Sequence, residues 1–368
     1  MSMPDHTRVV VVGGGIVGAS VLYHLAKEGW TDALLIEKAE FTSGSTWHAA
    51  GQVTHSVSSY TLAFMRKYAT ELYAELEAET GVATSWHETG SFRVAYEPIE
   101  VDWLKGQLGV GASAGREMDR VRPGVVAEHP PLYDVSNVVG AIWTPRDGHV
   151  DPSGATNAML TGARNRGAST SRRNRVLEIN RRPDGDWDVV TEQGTVTCEH
   201  VVNAAGCYAD RVARMVGLRV PMANALHAYV ITEPVPEIIA LDRELPVMRD
   251  DYLSGYIRQE QESGLIGIYE QVGAEAAWND QPGWELENPL FPIDYDIIGD
   301  RLMRAFECMP CLEPRGIKQT IRGAITHTPD GEAMLGHSGV PNFWMACGAQ
   351  VGVADGPGLG RESPAPVK

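Results

Sequence analysis

The run RVVVVGGGIVGASVLYHLAKEGWTDALLIEK, residues 8 to 38, restricts the fold more than any other part of the chain. A strand-like apolar stretch ends in Gly13, Gly15 and Gly18 at GxGxxG spacing. A helical pattern through Ile16, Val17, Val21, Leu22 and Leu25 then runs to Gly29, and a second apolar stretch stops at Glu37. Gly13 permits a tight turn, Gly15 lets a pyrophosphate approach the backbone, and Gly18 lets helix and strand pack closely, which puts the anion at a helix N-terminus. Glu37 can accept from ribose hydroxyls, and its charge opposes a 2'-phosphate. The unit predicts adenine dinucleotide binding without choosing between NAD and FAD.

Beyond it, YTLAFMRKYATELYAELEAETG at 60 to 81 has helical spacing, and a short helix is expected over 153 to 166. SFRVAY, VVGAIW, RVLEIN, WDVVTE and TVTCEHVVNAAG read as strands. HAYVITEP, SGYIRQE and GLIGIYE, set among Pro-rich loops, suggest an antiparallel sheet. The fold class predicted is α/β (α+β overall), with a Rossmann-like nucleotide-binding domain interleaved with an antiparallel-sheet substrate domain. The first takes 1–85, 150–222 and 318–368; the second takes 86–149 and 223–317.

Composition narrows the partners. The 48 acidic residues against 31 Lys plus Arg give a net charge of -17, which repels nucleic acid and anionic membranes. No stretch approaches the ~20 apolar residues of a bilayer span. MSMPDHTR passes directly into the first strand, so a soluble cytoplasmic protein is expected. The odd cysteine count suits a reducing compartment rather than a disulfide framework. Cys308 and Cys311 form a CxxC, yet no second pair or His cluster follows at zinc spacing, and no metal is expected. The basic SRRNRVLEINRR at 171 to 182 reads as solvated strand edges around a turn.

STWHAAG at 45 to 51 then becomes informative. With VVVVGGGIVGASVLYHLAKEG, LLIEK, FTSGSTWHAAGQ, DGHVDPSGATNAM, VVNAAGCYAD, LHAYVITEPVPE, PVMRDDYLSGYIRQE, GLIGIYE and ITHTPDGEAMLG, it resembles the dimethylglycine and sarcosine dehydrogenases among the D-amino-acid-oxidase-like flavoproteins. The resemblance covers nearly the whole chain. It implies FAD as cofactor, joined covalently through His48 to the flavin 8α-methyl. Cofactor contacts implied by position are Val17, Glu37 and Lys38 at the nucleotide, Gly44, Ser45, Thr46, Trp47, His48, Ala49, Ala50, Gly51 and Gln52 along the flavin, and Val176 at the adenine. Tyr208 stands where relatives often have Trp, and Gly352 and Gly356 are expected in a turn facing the flavin carbonyl.

The implied chemistry is oxidative N-demethylation: a hydride leaves an N-methyl carbon for flavin N5, and the iminium is hydrolysed to amine and formaldehyde. Dimethylglycine is the preferred substrate, with sarcosine next. Only the neutral amine has the lone pair this step needs, so a proton acceptor is required. His227 and Tyr256 are the catalytic candidates, with Tyr269 a further one. Arg258 or Arg322 is expected to hold the substrate carboxylate. Arg322 also departs from the smaller residue usual in that turn.

The folate-binding half of the family lies outside this chain, so a separate folate-binding subunit is a possible partner. Electron-transfer flavoprotein is the implied acceptor, and oxygen serves similar oxidases. GVADGPGLG is expected to lead into a closing amphipathic helix, whose pattern RESPAPVK lacks. The alternatives are a non-catalytic regulatory or scaffold relative, a related secondary amine or betaine demethylase, and an NAD-dependent dehydrogenase.

Overall fold

The computed structural model describes residues 3–270 and 275–363. Strand His6–Val12 lies parallel between Ala33–Ile36 and Gly194–Asn203, and Phe343–Cys347 extends the ladder on the far side of Gly194–Asn203. Both faces of these strands are covered, which is why they read as unbroken Val, Leu and Ile rather than alternating. Helices Ile16–Lys27, Tyr60–Thr80, Pro152–Asn165 and Gly352–Glu362 pack a core on one face. The hairpin Val176–Arg181 and Trp187–Thr191, with helix Ala209–Arg214, closes the other. The long helix starts on a Ser59 cap and stops at Gly81, where φ of 72° needs glycine's freedom.

The second sheet has eight strands in the order Ile317–His327, Ala223–Thr232, Ser263–Ile268, Gly255–Glu260, Val247–Asp250, Ser91–Ala95, Gly140–Thr144 and Asp119–Val121. Its pairings are antiparallel except that of Val247–Asp250 with Ser91–Ala95. Ala228, Val230, Ile257, Ile266 and Ile268 point to one face and pack with Ile298, Leu302 and Ala305 of the amphipathic helix Tyr295–Cys308. The alternate residues of the same strands face the first domain.

Two sequence-based boundaries move. The return to the first domain, expected at 318, comes later, because Ile317–His327 pairs throughout with Ala223–Thr232 in the second sheet. The run GVADGPGLG is not a turn: it forms most of the closing helix Gly352–Glu362 itself, with Pro357 inside it. Its glycines let the helix press on its neighbours, since a β-carbon at Gly358 would overlap Met65 and one at Gly360 would overlap Ser20. Residues 364–368 lie outside the described part. Arg66 Nε on Asp355 (2.7 Å) and Tyr73 Oη on the Val353 carbonyl (2.7 Å) tie this helix to the long one. The Arg66 and Asp355 side chains are buried, so losing one partner costs about 3–5 kcal/mol. Among the described residues no helix is long and apolar enough to cross a membrane.

Candidate active site

A cleft with about 1390 Å³ of open space runs along the ends of the parallel strands, lined by Gly13 to Val17 together with His48, Ala324 and Gly352. Gly13 sits at φ 116°, and a β-carbon there would overlap the Ala204 carbonyl; one at Gly18 would overlap Gly13 itself. The helix beginning at Ile16 has Gly15 as its N-cap with no side-chain cap, so its positive end opens on the cleft. Glu37 accepts from Gly14 N (2.7 Å) and Ala39 N (2.9 Å), and burial pushes its carboxyl up against those two bonds. Val176 and Tyr208 line the cleft as well.

The mouth is covered by a segment the sequence did not single out. Trp284 stacks on Tyr208 at 5.3 Å, Tyr208 Oη donates to the Gly283 carbonyl (2.9 Å), and Lys38 Nζ donates to the Leu286 carbonyl (2.5 Å). Trp278 lines the cleft too. Two tryptophans within AWNDQPGWELENP, an otherwise polar irregular run, were the available signal.

The loop carrying STWHAAG is fastened along its length. Ile16 N donates to Thr46 Oγ1 (3.1 Å), Ser45 Oγ to the Ala324 carbonyl (2.5 Å), and Arg258 Nε to the Ala50 carbonyl (2.9 Å). Gly51, at φ 73°, passes so close to Val150 that a β-carbon would overlap its carbonyl, and Gln52 pairs with His149. Gly44 is exposed, and Ala49 lines the cleft. The Gln52 amide and the Trp47 indole N–H are buried without a protein partner. Trp47 meets His48 edge-on at 5.7 Å. Burial, with only its own backbone as a hydrogen-bond partner, pushes the His48 imidazole down to about 4, so the ring is neutral at neutral pH.

His48 rests on the backbone of Gly323, where any β-carbon would overlap the ring, and Gly323 is the strand partner of His227. His227 Nδ1 lies 3.1 Å from Glu270 Oε2, its Nε2 lies 3.5 Å from Tyr256 Oη, and Tyr269 stacks on its ring at 5.0 Å. Tyr256 packs flat over Gly267, and burial holds its phenol well above the usual range. Glu270, missed in the sequence, is 3% exposed with its second oxygen unpartnered. Its signal was an acid closing the apolar strand GLIGIYE.

The two arginines expected to anchor a carboxylate are otherwise engaged. Arg258 shares the face of Tyr256, but its donors go to Ala50 O, Gln259 O and Glu260 (2.5 Å). Arg322 is adjacent to Gly323, so it points to the opposite face from His227, and it bonds Pro292 O and Glu275. Gly352 lines the cleft, whereas Gly356 lies a turn into the helix against Ile16, because the run is helical.

Cys308 is buried, with Sγ 3.3 Å from Asp250, and Cys311 is partly exposed; neither approaches the cleft. The basic run forms surface ion pairs, Arg172 and Arg173 both meeting Glu40. Among the described residues one group, His87, His149 and Glu244, has metal-ligand composition. Its two imidazoles stack at 4.8 Å and 15°, each bonded to Glu244. Nearly parallel planes do not bring both ring nitrogens in-plane onto one ion, and the trio is a hydrogen-bonded network.

Residues 8–363 match the family described as FAD dependent oxidoreductase. The chain is 40% identical to mitochondrial dimethylglycine dehydrogenase of Mus musculus over 97% of its own length and 42% of that protein. It is 32% identical to mitochondrial sarcosine dehydrogenase of Mus musculus, over 98% of its length and 39% of that protein. Among solved structures, L-proline dehydrogenase from P. horikoshii superposes with a TM-score of 0.85 at 26% identity, covering 97% of this chain and 92% of that one. The chain thus spans less than half the length of these curated relatives.

Proposed function

The chain belongs to the FAD-dependent oxidoreductase family, and we propose that it removes an N-methyl group oxidatively from a small amino acid, N,N-dimethylglycine before sarcosine. The observation that carries this reading is the chain of contacts from His48 through Gly323 to His227, which sets a neutral imidazole and a carboxylate-backed histidine on one side of one sheet.

The cleft suits FAD on its own features. A helix N-terminus with glycine as its N-cap opens on it for a pyrophosphate, and glycine at 323 vacates the volume His48 needs. Gly13 to Val17, Glu37, Val176 and Tyr208 would hold the nucleotide half, and residues 44 to 52 with Gly352 the flavin half. His48 is the proposed covalent tether, for which a neutral nitrogen is the reactive form. When bound, FAD supplies the two-electron acceptor for the C–H bond that breaks.

The protein's own part is proton handling. A substrate ammonium has no free lone pair, so its proton must leave first. With Nδ1–H donating to Glu270, His227 presents Nε2 as an acceptor, and the imidazolium formed is balanced by that carboxylate. Tyr256, kept protonated by burial, can donate its hydroxyl to the same nitrogen and withdraw it when the proton arrives. The demethylated amine and formaldehyde are the products. Electron-transfer flavoprotein as acceptor and a folate-binding partner for the formaldehyde complete the proposal.

Purified protein and His48→Ala, each acid-precipitated and weighed intact, test the tether: one FAD of added mass is expected in the first and none in the second. Anaerobic mixing with dimethylglycine, sarcosine, a betaine and simple secondary amines then tests the substrate. Bleaching of the flavin by the N-methyl amino acids is expected; bleaching by none of them would overturn the demethylase reading.

A further inference from the structure

The sheet face that carries His227 and Tyr256 also carries a cation that the mechanism above does not use. Across the ladders, Tyr229 pairs with Gly267, Gly267 with Tyr256, and Tyr256 with Arg249. Directly paired residues share a face, so Arg249 stands on the side occupied by His227. Its guanidinium carbon lies 5.5 Å from the ring centre of Tyr269 and 6.0 Å from that of Tyr256, and Tyr269 is the ring stacked on His227.

Neighbouring arginines are neutralised. Arg93 meets Asp251 at 2.8 Å, Arg258 meets Glu260 at 2.5 Å, and Arg322 meets Glu275 at 3.1 Å. Among the described residues none supplies Arg249 with a carboxylate or a hydrogen bond. Arg93, its strand partner, is paired with Asp251, and burial first, then the Arg249 charge, holds the Arg93 guanidinium down against the pull of that carboxylate. Aromatic faces steady a guanidinium while leaving its N–H edge available, and that edge matches a carboxylate in two parallel bonds.

We infer that Arg249, held over Tyr256 and Tyr269, binds the carboxylate of the substrate and so selects N-methyl amino acids over amines that lack one. The amino acid part rests on the function proposed above; the anion site stands on the arrangement of Arg249 itself.

The test uses flavin-loaded protein and methoxyacetate, an isostere of sarcosine whose ether oxygen cannot be oxidised as the amine is. Titration is followed by the flavin visible spectrum in wild type, Arg249→Met and Arg249→Lys, with flavin content and circular dichroism as folding controls. The dissociation constant is expected to rise about 10- to 150-fold in Arg249→Met, the range for losing a charged hydrogen-bond donor, and less in Arg249→Lys. With dimethylglycine, the half-saturating concentration for flavin reduction should rise by a like factor while the limiting rate changes little. N,N-dimethylethylamine should be handled alike by all three proteins. Methoxyacetate that binds wild type and Arg249→Met equally, or perturbs neither, overturns the inference. Methoxyacetate binding that depends on Arg249, in a protein no N-methyl amino acid reduces, supports the anion site and overturns the demethylase reading instead.

Discussion

The imidazole of His48 lies against the backbone of Gly323, directly across the ladder from His227. A side chain at 323 would occupy the space the ring fills, so Gly323→Ala must displace His48 from its seat. Displacements of ~1 Å cost about 100-fold in reactions that depend on alignment. Acid-stable flavin per polypeptide, followed after mixing apoprotein with FAD, should accumulate about 100-fold more slowly in the variant. Accumulation at the wild-type rate would mean that His48 is not the attachment point or is not held by this contact.

Glu270→Gln preserves the size of the side chain beside His227 and removes its charge. If the carboxylate balances the imidazolium that forms when the substrate gives up its proton, the limiting rate of flavin reduction by dimethylglycine should fall about 100-fold. The methoxyacetate dissociation constant should not change, because the anion site lies with Arg249. A weaker methoxyacetate complex with an unchanged rate would reverse the roles assigned to the two residues.

The dinucleotide unit was legible because its chemistry is local: the spacing of Gly13, Gly15 and Gly18 is dictated by a turn and a helix–strand contact within one segment. His48 was legible through resemblance, and its neutrality emerges only from burial under Gly323. Glu270 and Arg249 were missed for a different reason. They reach His227 through strand order and two-residue alternation, and the sequence does not state which strands are neighbours. The same alternation, unknown until the register is seen, sends Arg322 to the opposite face. At GVADGPGLG the local preference of glycine for turns gives way to tertiary packing, because only small residues let that helix lie so close to Ile16–Lys27 and Tyr60–Thr80.

Buried histidines should make the apoprotein sensitive to mild acid. His24 and His48 are both pushed down to about 4, chiefly by burial, from an ordinary value of 6.5. The unfolded chain therefore takes up protons between pH 6.5 and 4 that the folded chain refuses. Stability is complete above about 6.5 and is lost as pH falls towards 4, by roughly 3 kcal/mol for each histidine at the limit. Urea midpoints of the apoprotein at pH 7.5, 6 and 5 should fall in that order. In His24→Gln the fall should be shallower by about half of the combined effect of the two histidines, and an equally steep fall would show that His24 titrates normally in the folded protein.

Two helical glycines should respond oppositely to a side chain, and the pair separates propensity from packing. Gly360 sits where the closing helix crosses Ile16–Lys27, and a β-carbon there would overlap the side chain and backbone of Ser20. Ser20 is itself fully buried, so neither helix can yield without opening the core around Leu22 and Val353. Gly360→Val should cost about 3 kcal/mol or more, the upper range for overpacking a core. Gly299, in Tyr295–Cys308, has open space where its β-carbon would be. Gly299→Ala should add about 0.5–1 kcal/mol by removing glycine's excess backbone freedom in the unfolded chain. Denaturant unfolding of the two variants measures both. A neutral Gly360→Val would mean that the closing helix is not seated on Ile16–Lys27, and the place of Gly352 in the lining of the cleft would then have to be redrawn with it.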